Sequence, residues 1–193
     1  MKNKILLIAV IAICLTVAIT GTLAYFTAEE TAHNVITTGG VKIALVEKTK
    51  DPAGEEIDFP QEGIDGVMPG AEVSKIVSVK NTGQNEAWVR LKVDTQFKAE
   101  DGTALSAEIE GVGPALTFSV HEKWNLGADG FYYYKDPLPA GESTDTLFDK
   151  VIFAPEIGNA YQNCQADIVV SAQAVQTANN GSNVGEAAGW PEP

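Results

Sequence analysis

The sequence predicts an all-β sandwich of about eight strands behind an N-terminal signal helix. Three observations carry that expectation. Stretches with a two-residue hydrophobic period recur along the chain, most clearly at 73–79, 88–94 and 165–176. Clusters rich in Pro, Gly and Asn separate them. No helical period longer than two turns appears after residue 24. Short strands with frequent turn signals are the pattern of a sandwich.

The N-terminus reads as an export signal, residues 1–24. Lys2 and Lys4 form a basic head, Ile5 to Ile19 an uncharged apolar run, and Gly21-Thr22-Leu23-Ala24 a mostly small-residue end. Thr22 and Ala24 stand at −3 and −1 of a cut between Ala24 and Tyr25. The alternative is a retained membrane anchor, since Ile5 to Ala24 is just long enough to span a bilayer. Ile13 is too large for lipoprotein processing at Cys14.

Residues 25–40 form a polar, Thr-rich extended segment ending in Gly39-Gly40, and a sandwich domain is expected over 41–178. Val41 to Val46 begins it. Residues 47–63 read as a loop broken at Asp51-Pro52 and Phe59-Pro60. Met68-Pro69-Gly70 is a turn, and Val73, Lys75, Val77 and Val79 then oppose Ser74, Ile76, Ser78 and Lys80. Asn81-Thr82-Gly83-Gln84-Asn85 reads as a hairpin-type connection. After it Val89, Leu91 and Val93 should face the core, with Trp88, Arg90, Lys92 and Asp94 on the other face. Leu116 to Val120 alternates. Trp124-Asn125-Leu126 and Phe131 to Lys135, joined through Asp129-Gly130, read as a hairpin with an aromatic second strand. Thr144 to Phe153 is a strand bent near Asp149, and Gln165 to Gln176 is the longest β pattern. Residues 179–193 are Gly/Asn/Ala-rich and expected to form a flexible tail, with Trp190 as its one anchor.

Charge narrows the partners. The chain carries 13 basic and 26 acidic residues, a net −13, and loses Lys2 and Lys4 with the signal. Such a field repels nucleic acid and anionic lipid. Without the signal only Cys164 remains, so no internal disulfide can form. Its neighbours, Asn163 and Gln165, supply no charge to activate the thiol.

No catalytic pattern emerges. His33 and His121 lie in separate segments, and His121-Glu122 lacks the second histidine of a zinc-peptidase helix. No Gly-x-Ser-x-Gly elbow or phosphate-cradling loop is present. Acidic pairs discriminate nothing among so many carboxylates. No catalytic residue, cofactor or metal ligand is expected.

The residues across the cleavage site resemble a known family. Gly21 to Thr27, then Glu30, Asn34 to Gly39 and Val41 to Leu45 are similar to the start of TasA/camelysin proteins. Met68-Pro69-Gly70, Val79 to Gly83 and Ala166 to Gln176 extend the likeness more loosely. The resemblance implies processing by a dedicated ER-type, SipW-dependent signal peptidase of Gram-positive bacteria. It implies a jelly-roll sandwich that polymerises into biofilm-matrix fibres, with copies of itself and an accessory matrix protein as partners. Some camelysin relatives are described as metallopeptidases, a less favoured reading for this chain.

The leading expectation is therefore a secreted fibre subunit that assembles head-to-tail by strand addition. An incomplete sheet exposes backbone donors and acceptors that a neighbour's extended segment can satisfy. The expected donor strand includes Tyr25, Phe26, Ala28, Ala32 and Val35. Phe26, Ala28 and Ala32 share one row, interrupted by Glu30; Val35, Thr37 and Gly39 offer another. The alternative is a secreted adhesin binding a glycan or host protein through its aromatic hairpin.

Overall fold

The chain is an all-β sandwich. The computed structural model describes residues 26–30, 34–37, 40–61, 64–158, 161 and 163–191. The expected signal helix, Ala24, Tyr25, Ala32 and His33 lie outside these. Fifteen strands are described. In chain order they are β1 (Phe26–Glu30), β2 (Asn34–Thr37), β3 (Ile43–Lys50), β4 (Glu56–Asp58), β5 (Ile64–Val67), β6 (Glu72–Asn81), β7 (Ala87–Lys98) and β8 (Ala104–Leu105). Then come β9 (Glu108–Ile109), β10 (Gly113–Pro114), β11 (Leu116–Val120), β12 (Trp124–Leu126), β13 (Phe131–Tyr134), β14 (Phe148–Phe153) and β15 (Gln165–Gln176).

One sheet has the order β12-β13-β7-β15-β1-β5, with β2 also on β15 and β8 on β7. The other runs β11-β14-β6-β3-β4, and β9-β10 is a separate ribbon. The strand number exceeds the expected eight because stretches without a long periodic pattern still pair. Turns at 51–54 and 99–102 fold β4 onto β3 and β8 onto β7. β5 has no periodic signature and acquires its strand character from pairing with β1.

The core follows the two-residue period. Val77 and Val79 from β6, Val89 and Leu91 from β7, Val151 and Phe153 from β14, and Val170 and Ala172 from β15 are buried between the sheets. β7 meets the expectation for Val89 and Leu91, but Trp88 and Arg90 on its opposite face are buried too. The C-terminal residues account for this. Trp88 Nε1 donates to the Asn180 carbonyl at 3.0 Å, and Arg90 lies under the Trp190 ring at 4.6 Å. Asn180 closes that loop by exchanging two hydrogen bonds with Ala188.

The Asn81–Asn85 connection is an arch rather than a hairpin, because β6 and β7 belong to different sheets. Asn81 is fully buried and its amide donates to the carbonyls of Asn85 and Leu138. Gly83 is required by the close approach of β3: a Cβ there would stand 2.9 Å from the Lys42 nitrogen.

Candidate functional site

β15 is paired along its full length with β7 on one edge, from Gln165 opposite Lys98 to Gln176 opposite Ala87. Its other edge receives the N-terminal segment. β1 runs parallel to it, with Thr27, Ala28, Glu29 and Glu30 in register with Gln165, Ala166, Asp167 and Ile168. β2 continues along the same strand, pairing Val35 with Ala172 and Thr37 with Ala174. The far edge of β1 is closed by β5, antiparallel, with Phe26 opposite Val67 and Ala28 opposite Ile64. β1 is thus a strand inserted between two others.

The register relates the two rows seen in the sequence. From Glu30 to Asn34 the segment advances four residues while β15 advances three, from Ile168 to Ser171. One extra residue reverses the alternation of a strand. Ala28 is therefore in register with Ala166, and Val35 with Ala172, although the two differ in parity. Both β15 partners are fully buried. The two rows read from the sequence, Phe26 with Ala28 and Val35 with Thr37, thus stand in the same phase against β15, and Ala32 lies outside the described residues.

The slot beside β15 has small and apolar walls. The inner row of β15 is Ala166, Ile168, Val170, Ala172 and Ala174, all buried. Beyond it Phe97 and Tyr161 meet edge to face at 5.5 Å, and the Tyr161 hydroxyl donates to the Ser106 carbonyl. Cys164 is buried beside them, and that burial pushes its thiol up to about 12.

A charged pair lies inside the sandwich. Lys75 continues the inner row of Val77 and Val79, and is 2 % exposed. Its ammonium is 2.9 Å from Glu47 and lies 3.8 Å over the Phe59 ring. The sequence already showed a lysine in a row of valines. The loop expected from residue 47 starts later: β3 continues to Lys50, which puts Glu47 opposite Val77 on the inner face.

The aromatic hairpin divides by face. Trp124 and Tyr134 are buried and 5.1 Å apart, and the Tyr134 hydroxyl donates to Asp145 at 2.7 Å. Phe131 lies beneath Arg90, at 3.9 Å, and Tyr133 contacts Trp190. His121 is exposed and its Nδ1 accepts from the Lys123 N–H at 3.3 Å. Among the described residues no group of three or more His, Cys, Asp or Glu is placed to hold a metal ion. Comparison of the chain with protein-family models, with curated proteins and with solved structures finds no match.

Proposed function

We propose that this chain is a secreted structural subunit that polymerises head-to-tail through its N-terminal strand. The observation that carries the reading is the position of β1 between β15 and β5, since β1 is the first strand after the export signal expected from the sequence. Withdrawing β1 would leave the edges of both neighbours unpaired, and unpaired edges recruit strands. The same segment from a second copy restores both sets of hydrogen bonds. Each is worth about 0.5–1.5 kcal/mol net, so affinity comes from their number and from the side chains that fill the slot.

Such a contact is heterologous. Each subunit donates one strand and accepts another, so the chain of subunits stays open and grows as a fibre. Signal removal frees the donor, which couples export to assembly. The likeness of residues 21–45 to the TasA/camelysin start supports the same reading, together with processing by an ER-type signal peptidase and an extracellular, biofilm-matrix location. The acidic charge keeps subunits soluble until the strand contact forms.

Electron microscopy of purified protein beginning at Tyr25 tests the proposal. Fibres are expected from residues 25–193 and folded, non-elongating monomers from residues 39–193. Fibres of normal length from the shorter protein would refute it.

A further inference from the structure

We propose that a groove on the outer face of the larger sheet binds uncharged saccharide. The groove lies between the β12–β13 hairpin and the C-terminal loop and has a volume of about 690 Å³. Tyr133 and Trp190 supply its aromatic wall, Asn125, Asp129 and Asn183 its polar rim, and Leu126 lines it at the sheet edge. The fibre reading does not use this surface, which is on the opposite face of the sheet from the core.

The wall is built rather than incidental. Tyr133 and Trp190 stand at 83° with ring centroids 5.9 Å apart. Arg90, 7 % exposed, is stacked between Phe131 and Trp190 and donates to Gln173, the Tyr133 hydroxyl and the Pro191 carbonyl. The Tyr133 hydroxyl in turn donates to Asp129 at 2.7 Å. Gly127 at the hairpin turn allows the arrangement: a Cβ there would stand 2.6 Å from Asp129 Oδ1 and 2.8 Å from the Tyr133 ring.

The chemistry selects the ligand class. A pyranose ring has an apolar C–H face and a rim of hydroxyls, which match an aromatic and aliphatic wall edged by amide and carboxylate groups. Asp129 is already paired with Arg90 at 3.4 Å, so the site presents little net charge of its own. The net −13 of the chain acts against polyanions. An uncharged sugar meets neither obstacle. Asp129 remains 45 % exposed and keeps capacity to accept from hydroxyls.

The test is titration of the mature full-length protein with cellotetraose, with tetra-N-acetylchitotetraose and with polygalacturonate. Calorimetry and tryptophan fluorescence are read together. At least one neutral oligosaccharide is expected to bind saturably with Kd below about 1 mM, a free energy of about −4 kcal/mol or better. Polygalacturonate should bind at least tenfold more weakly. Leu126→Asp changes an exposed side chain that lines the groove and adds a charge at its edge, so it should cost tenfold or more in affinity with an unchanged melting temperature. Trp190→Ala should abolish the fluorescence response. Absence of binding by both neutral sugars, equal binding of polygalacturonate, or affinity unaffected by both variants would each overturn the proposal.

Discussion

Ala28 and Ala166 are register partners in a parallel pairing between the first described strand and the last. Ala28 is also opposite Ile64 on the other side of β1. Chain segments far apart in sequence thus meet at one residue.

Ala28→Pro should disrupt this position selectively. Proline removes a backbone donor and is excluded from the middle of a sheet. The variant is expected to fold around the remaining strands and to lose elongation, measured by light scattering and microscopy. Unchanged elongation would show that β1 does not carry the contact.

The Lys75–Glu47 pair should be sensitive to loss of one member. Glu47→Ala leaves a buried ammonium without this carboxylate and is expected to destabilise by about 3–5 kcal/mol. The double change Lys75→Met with Glu47→Leu should recover much of that loss, since apolar replacements of similar volume are often tolerated. Urea denaturation of the three proteins decides it. A single variant as stable as the parent would mean that the pair is not buried in solution.

The C-terminal loop should come off in acid before the core unfolds. Burial opposes the charge on Asp129, but bonds from the Tyr133 hydroxyl and the Phe131 N–H, with Arg90 nearby, hold its carboxyl below the usual range. A lowered folded pKa stabilises above the unfolded value, about 3.9, and this contribution is lost as pH falls through the folded one. Trp190 fluorescence is expected to change below about pH 4, at a pH where far-ultraviolet dichroism is still native. Asp129→Asn should remove the acid step from the Trp190 signal.

Cys164 should behave as a core residue. Burial pushes its thiol up to about 12, so it stays neutral at physiological pH and reacts poorly. Ellman's reagent at pH 8 is expected to label it only after denaturation. Fast labelling of native protein would contradict its burial at 1 % exposure.

Much of the sandwich was legible because period-two patterning reports which face is buried. β15 runs from Gln165 to Gln176 as the alternation indicates, and β14 has its irregularity between Phe148 and Lys150, beside Asp149, although it starts at Phe148 and not at Thr144. Alternation does not report which sheet a strand joins, so the Asn81–Asn85 arch read as a hairpin. It also does not report what covers an outer face. Trp88 and Arg90 looked exposed because residues that bury them lie some 90 to 100 positions later. The N-terminal segment was visible as two incompatible rows. Only the pairing with β15 shows the one-residue offset that places Ala28 and Val35 beside buried alanines.

In a fibre, β1 of one subunit is expected to lie beside β15 of the next. Thr27 and Gln165 are register partners, so cysteines at these two positions report the contact directly. Two mature proteins, Thr27→Cys and Gln165→Cys, each with Cys164→Ala, are mixed, allowed to assemble and oxidised. Non-reducing gels of the mixed fibres should show disulfide-linked dimers that neither protein forms alone. Fibres that assemble from the mixture without any such dimer would contradict strand exchange between subunits.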